Sequence, residues 1–126
     1  MPHSLAASVA KYLYARRAWT HASVVMALLY VKVHKRKQHI CAAACDEELL
    51  GETLEEHPYC VTVKESFFKG DLVEDKDPDT VAVFRRASSL NLFGERAVAL
   101  GITAGCIEPD KVVRIKGVPH AQMFII

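Results

Sequence analysis

Gly117-Val118-Pro119-His120 is the stretch of this chain best suited to acid–base chemistry. A histidine held behind a proline is a candidate general base, and Glu95 is a candidate to orient it. Neither has a nucleophile or second acid at a defined spacing, so a structural or hydrogen-bonding histidine is the stronger reading. Metal chemistry has as little support. His57 with Cys60 makes half a site, and Cys41-x-x-x-Cys45 lacks a second short-spaced pair of ligands. On a strand those two cysteines would share a face about 13 Å apart, too far for one ion. Free buried thiols are the expectation, with a disulfide from Cys41 or Cys45 to Cys60 as the alternative. Gly94 and Gly101 fall within a helical pattern rather than between strand and helix, so neither reads as a phosphate-cradling loop. No cofactor is expected.

Cations carry a clearer signal. Lys32, His34, Lys35, Arg36, Lys37 and His39 crowd one short stretch, and at a hairpin tip they would track phosphates. A second set comprises Arg85, Arg86, Arg96, Lys111, Arg114 and Lys116, with Arg114 and Lys116 alternating onto one strand face. The competing reading of both sets is an ordinary solvated surface. Charge is also segregated along the chain. From Asp46 to Asp79 twelve acids face three bases, a net of −9, while the remaining residues carry +10 against a total of +1. Two such poles would orient the molecule on a polyanion.

The elements that must position these groups can be read from periodicity. Leu28 to His34 alternates as a strand, Lys35-Arg36-Lys37-Gln38 breaks it, and His39 to Cys45 returns as its hairpin partner. Asp46 to Glu56 reads as a helix, with Asp46 as cap and Leu49, Leu50 and Leu54 at helical spacing around Gly51. Tyr59 to Lys64 alternates again. Glu65 to Asp77 is a charged connection, anchored by Phe67-Phe68 and turned at Gly70. Asp77-Pro78-Asp79-Thr80 is a helix start, with Val81, Phe84 and Ala87 or Ser88 facing inward. Asn91 is expected to cap a further helix through Ala104, closed by Gly105. Lys111 to Lys116 reads as a strand, and His120 to Ile126 as an edge strand or a tail against a partner.

These elements predict an α+β fold: a small mixed or antiparallel sheet with helices packed on one face, plus a basic N-terminal arm. The arm is residues 1–26 and the single domain residues 27–126. An apolar fraction of 51% suffices for a core, and no apolar run reaches the ~18 residues that span a bilayer. Met1 to Val25 contains Lys11, Arg16 and Arg17 and no acid; Ser4 to Trp19 has weak helical spacing. Arg16-Arg17 interrupts any signal-peptide core. Three readings remain: a transit peptide, a basic arm lying on a partner, or an over-long start with Met26 as the first residue of the domain.

Four segments carry a family resemblance. They are Tyr30-Val31-Lys32-Val33-His34, Cys45-Asp46-Glu47-Glu48-Leu49-Leu50-Gly51, Asn91-Leu92-Phe93-Gly94-Glu95-Arg96-Ala97-Val98 and Val113-Arg114-Ile115-Lys116-Gly117-Val118-Pro119-His120-Ala121-Gln122. From roughly Leu28 to Gln122 the chain resembles the archaeal proteins grouped as domain of unknown function four-two-four. The resemblance implies a small cytoplasmic α+β protein linked to translation. It further implies a gene that tends to neighbour that of the beta subunit of initiation factor two, and a place on the small ribosomal subunit. It brings no established catalytic residues; Glu95, Arg96, Pro119, His120 and Gln122 fall within the matched motifs as candidate site residues. Met1 to Val25 has no counterpart in the family pattern, and an archaeal origin removes the transit-peptide reading.

The resulting expectation is a non-enzymatic RNA-binding protein of the small ribosomal subunit. Its RNA-binding set would be Lys11, Arg16, Arg17, Lys32, His34, Lys35, Arg36, Lys37, Arg85, Arg86, Arg96, Arg114, Lys116 and His120. Its partners would be ribosomal RNA, small-subunit ribosomal proteins and initiation factors, with no membrane. Two alternatives stand beside it: a small RNA- or nucleotide-processing enzyme using His120, Glu95 and Arg96, and an adaptor binding a translation factor through the acidic segment.

Overall fold

The computed structural model describes residues 27–125. The expected arm, its weakly helical stretch and Lys11, Arg16 and Arg17 lie outside them. A mixed sheet of six strands forms the centre, in the order β5-β1-β2-β6-β8-β7. Its strands are β1 (Leu28–Arg36), β2 (His39–Asp46), β5 (Asp71–Glu74), β6 (Ser89–Phe93), β7 (Val113–Ile115) and β8 (Val118–Phe124). β2 and β6 run parallel and every other neighbouring pair runs antiparallel. A separate hairpin joins β3 (Thr53–Glu56) to β4 (Tyr59–Thr62). Helix α1 is a single turn, Glu65–Phe68; α2 (Pro78–Arg86) and α3 (Glu95–Thr103) are the two longer helices.

The β1–β2 hairpin forms where the alternation placed it. Arg36 pairs with His39 across Lys37-Gln38, and Lys37 adopts φ 57°, the left-handed turn that matches strand twist. Ala42, Ala43 and Ala44 are fully buried in β2, with β1 and β6 on either side and cover on both faces. Such small residues have weak strand propensity, and the packing of the sheet centre decides their conformation.

Each face carries its own core. Leu29, Val31, Ala44, Leu90 and Leu92 meet Phe84 of α2 and Val98 and Leu100 of α3 on one side. Truncating a fully buried residue such as Leu90 to alanine costs about 2–5 kcal/mol. Ala43, Cys45, Phe93 and Ile115 meet Leu54 and Val63 near the small hairpin, and Phe68 of α1, on the other. The two longer helices therefore share one face, as the α+β reading required, and α1 joins the hairpin on the opposite one.

α2 starts as its cap predicted: the Asp77 carboxylate accepts from the Thr80 amide at 2.9 Å and the Thr80 hydroxyl at 2.8 Å. Four other expectations are corrected. Asp46 to Glu56 is not a helix: a 3-10 turn at Glu47–Leu49 gives way at Gly51, φ 86°, to strand β3. There Leu54 points inward between exposed Thr53 and Glu55, and pairing with β4 outweighs the leucine spacing. Asn91 is not a cap but the middle of central strand β6. The C-terminal strand is not an edge; β8 begins at Val118 and lies between β6 and β7. Strand β5, read as part of a connection, is the edge beside β1, with Val73 buried.

Candidate functional site

Strand direction converts charge order into charge position. β1 ends and β2 begins at the Lys37-Gln38 turn, and α2 finishes beside it: Ser88 donates its amide to Ile40 at 2.7 Å, and His39 Nε2 lies 3.2 Å from Ser89 Oγ. Lys35, Arg36, Lys37 and Arg86 are exposed here, with no carboxylate partner among the described residues. Arg85 is committed to structure, its Nε donating to Ala104 O at 3.0 Å at the end of α3. Lys32 and His34 are committed too. Lys32 Nζ donates to Ser66 O at 2.9 Å, while His34 stacks on Phe67 at 4.6 Å and bonds Phe67 O at 2.9 Å. Both side chains hold α1 against the sheet.

The opposite end of the sheet collects Asp46, Glu48, Glu74, Asp77 and Glu95. Arg96 lies among them. Its guanidinium donates twice to Leu28 O, at 2.9 and 3.2 Å, pairs with Glu48 and lies 3.8 Å from the Asp46 carboxylate. Asp46 in turn accepts the amides of Arg96 at 3.1 Å and Ala97 at 2.9 Å, so the cap proposed for its own segment closes α3 instead. Gly94 is thus not inside a helix; it links β6 to α3 at φ 108°, and a Cβ there would meet the Asp46 carboxyl carbon at 2.3 Å. The chain's own carboxylate occupies the amide cluster where an anion would otherwise dock.

Burial pushes the Asp46 carboxyl above its ordinary range, against the pull of the two amides and Arg96. At Glu48 burial acts in the same direction, but the Arg96 guanidinium and Glu48's own backbone amide together outweigh it and hold that carboxyl below its ordinary range. Arg114 joins this end through Glu95 at 3.0 Å and Gly117 O at 2.8 Å, and the Lys116 amide donates to Glu56 at 2.8 Å. Lys116 is in the β7–β8 turn rather than on a strand face, φ 54°. Of the expected RNA-binding set, the structure gathers Lys35, Arg36, Lys37 and Arg86 at one end and sends Arg96, Arg114 and Lys116 to the other.

His120 lies in neither charge group. It lines a cleft of about 820 Å³ between the small hairpin, α1 and the sheet, together with Tyr59, Lys64, Phe67, Asn91 and Gln122. Its Nδ1 donates to Leu92 O at 2.9 Å and its ring stacks on Phe93 at 3.9 Å. Burial lowers its pKa from the ordinary 6.5, opposed by the carbonyl contact. Glu95 lines a different depression, with Arg114 and Pro119, so the imagined His120–Glu95–Arg96 triad does not share a cavity. Asn91 is the residue that sequence reasoning missed. Its Oδ1 is buried beside the cleft without a hydrogen-bond partner. The signal was an asparagine where a central strand expects an apolar side chain, and reading Asn91 as a cap concealed it.

All four cysteines are free, and burial, then the charges of Asp46 and Glu48, push the Cys45 thiol up to about 12. Among the described residues no cluster of three metal ligands exists, and no helix is long and apolar enough to cross a membrane.

The family model described as "Protein of unknown function (DUF424)" matches residues 34–126. The chain belongs to this family. Its fold is similar to the crystal structure of an uncharacterized conserved protein from Methanopyrus kandleri, at 28% identity and a TM-score of 0.69, over 79% of this chain and 93% of that one. No curated protein matches. The family match takes in both charged ends and the cleft, from His34 at the hairpin to the strand carrying His120.

Proposed function

We propose that this protein is a non-catalytic RNA-binding protein of the archaeal translation machinery, seated on small-subunit ribosomal RNA in the cytoplasm. One observation carries the reading. Lys35, Arg36, Lys37 and Arg86 stand unpaired at one end of the sheet, while Asp46, Glu48, Glu74, Asp77 and Glu95, with the paired Arg96 and Arg114, occupy the other. Such a dipolar surface attracts phosphate at one pole, repels it at the other and fixes the orientation of docking. The acidic end then faces solvent or a basic neighbour, a small-subunit protein or an initiation factor. The narrower assignment to the ribosome rests on the family resemblance. An enzymatic role draws little from the geometry, since His120, Glu95 and Arg96 face different surroundings.

Co-sedimentation with archaeal small subunits across a salt series tests the proposal. Association should weaken steadily as salt rises, because each phosphate contact releases counterions. Absence of binding at low salt, or binding indifferent to salt, contradicts it. A complex with a basic translation factor that survives RNase would favour the adaptor role of the acidic end.

A further inference from the structure

The face of the sheet away from α2 and α3 is only partly covered. Along β8 the side chains of His120, Gln122 and Phe124 share that face, beside Asn91 and Ser89 of β6. The small hairpin and α1 cover parts of this face, leaving the cleft between them and Phe124 68% exposed beyond it. Phe124 pairs with Ser89, which bonds His39, so this open row runs from the cleft toward the cationic hairpin.

We infer that the cleft receives an unpaired nucleobase, a planar ring whose edge offers both hydrogen-bond donors and acceptors. This rests on the RNA reading but concerns a different surface from the hairpin tip. The floor supplies complementary groups. Asn91 lines the cleft while its Oδ1 is turned inward, shielded and without a donor; turning the side-chain amide over presents that oxygen to a ligand donor in the cleft. His120 uses Nδ1 on Leu92 O, which leaves Nε2 as an acceptor on the neutral ring. Gln122 adds an amide with both donor and acceptor. Phe67 and Tyr59 supply the aromatic walls on which a base stacks, and Lys64 stands at the rim for a phosphate. A partly open sheet face set with aromatic and amide side chains reads unstacked bases in single-stranded RNA. The volume is ample for one base with its sugar.

The test uses the full chain and NMR signals of the Asn91 and Gln122 side-chain amides and the His120 ring. Four nucleosides without phosphate, a single-stranded octaribonucleotide and an RNA duplex are titrated in turn. At least one nucleoside should shift all three signals, and the single strand should bind about tenfold tighter than the duplex. Asn91→Leu should weaken nucleoside and single-strand binding about tenfold and spare duplex binding. Its melting temperature should hold or rise, because an unpartnered acceptor is removed. Tyr59→Ala, at an exposed site, should weaken the same two ligands without touching the core. Free nucleosides ignore the hairpin charges, so the two readings fail separately. Nucleoside binding without RNA binding supports a site for free nucleotides and sinks only the RNA proposal. RNA binding that leaves Asn91, His120 and Gln122 unshifted, with no nucleoside response, overturns the base site alone.

Discussion

Arg96 sits at one end of the sheet with a carbonyl and two carboxylates around its guanidinium, while Arg36 at the other end has no carboxylate partner among the described residues. The residue type and the formal charge are identical. At Arg96 the charge organises the chain: it links β1, the turn after β2 and the start of α3. At Arg36, with Lys35, Lys37 and Arg86 near it, the charge is left for something outside the molecule. The contrast teaches that a count of cations says little about a partner until each one's internal commitments are subtracted. Half of the second basic set anticipated from the sequence is used up in this way, through Arg85, Arg96 and Arg114.

The largest expected effect comes from reversing the free end. Lys35→Glu, Arg36→Glu and Lys37→Glu together should lower RNA affinity by about 100-fold near 0.1 M salt while the melting temperature stays within a few degrees, read by anisotropy and thermal melts. An equal loss from Arg114→Glu with Lys116→Glu would erase the distinction between the ends.

Next in size is the buried cap. Asp46→Ala strips two amides and Arg96 of their acceptor and should cost about 3 kcal/mol, measured by urea unfolding. RNA affinity below the transition should be retained, which separates stability at one end from binding at the other. Gly94→Ala, forced into positive φ against that same carboxylate, should cost about 2 kcal/mol.

A smaller effect is pH-dependent. Because burial lowers the His120 pKa, the unfolded chain takes up a proton first as pH falls below 6.5, and stability is lost there. Each unit of depression corresponds to about 1.4 kcal/mol. NMR titration of the ring should give a midpoint below 6.5, and His120→Gln should flatten the stability profile in that window. Smallest of all, Arg114→Ala removes an exposed pair with Glu95 and should change stability by at most about 1 kcal/mol, with no effect on RNA.

Local pattern made much of the fold readable. Alternation gave the first hairpin, and Asp77-Pro78 marked the start of α2, because both signals act within a few residues. What stayed hidden depends on distant partners. Asp46 caps a helix fifty residues further on, through the parallel β2–β6 pairing that no local period announces. Leu54 carries helical spacing but takes its conformation from β4. The cationic tip was legible as a charge run, whereas the cleft was not. Asn91, Phe67 and His120 come from three separate elements and meet only when the sheet is assembled.

Of the two charged ends of the sheet, only the hairpin end is expected to contact phosphate. The direct measurement is the slope of log affinity against log salt for a single-stranded RNA, taken on the wild type, on Lys35→Gln/Arg36→Gln/Lys37→Gln, and on Arg114→Gln/Lys116→Gln. The tip variant should flatten the slope by about two, at roughly 0.7 per lost phosphate contact, and the other variant should leave it unchanged. Equal flattening by both, or by neither, would contradict the claim.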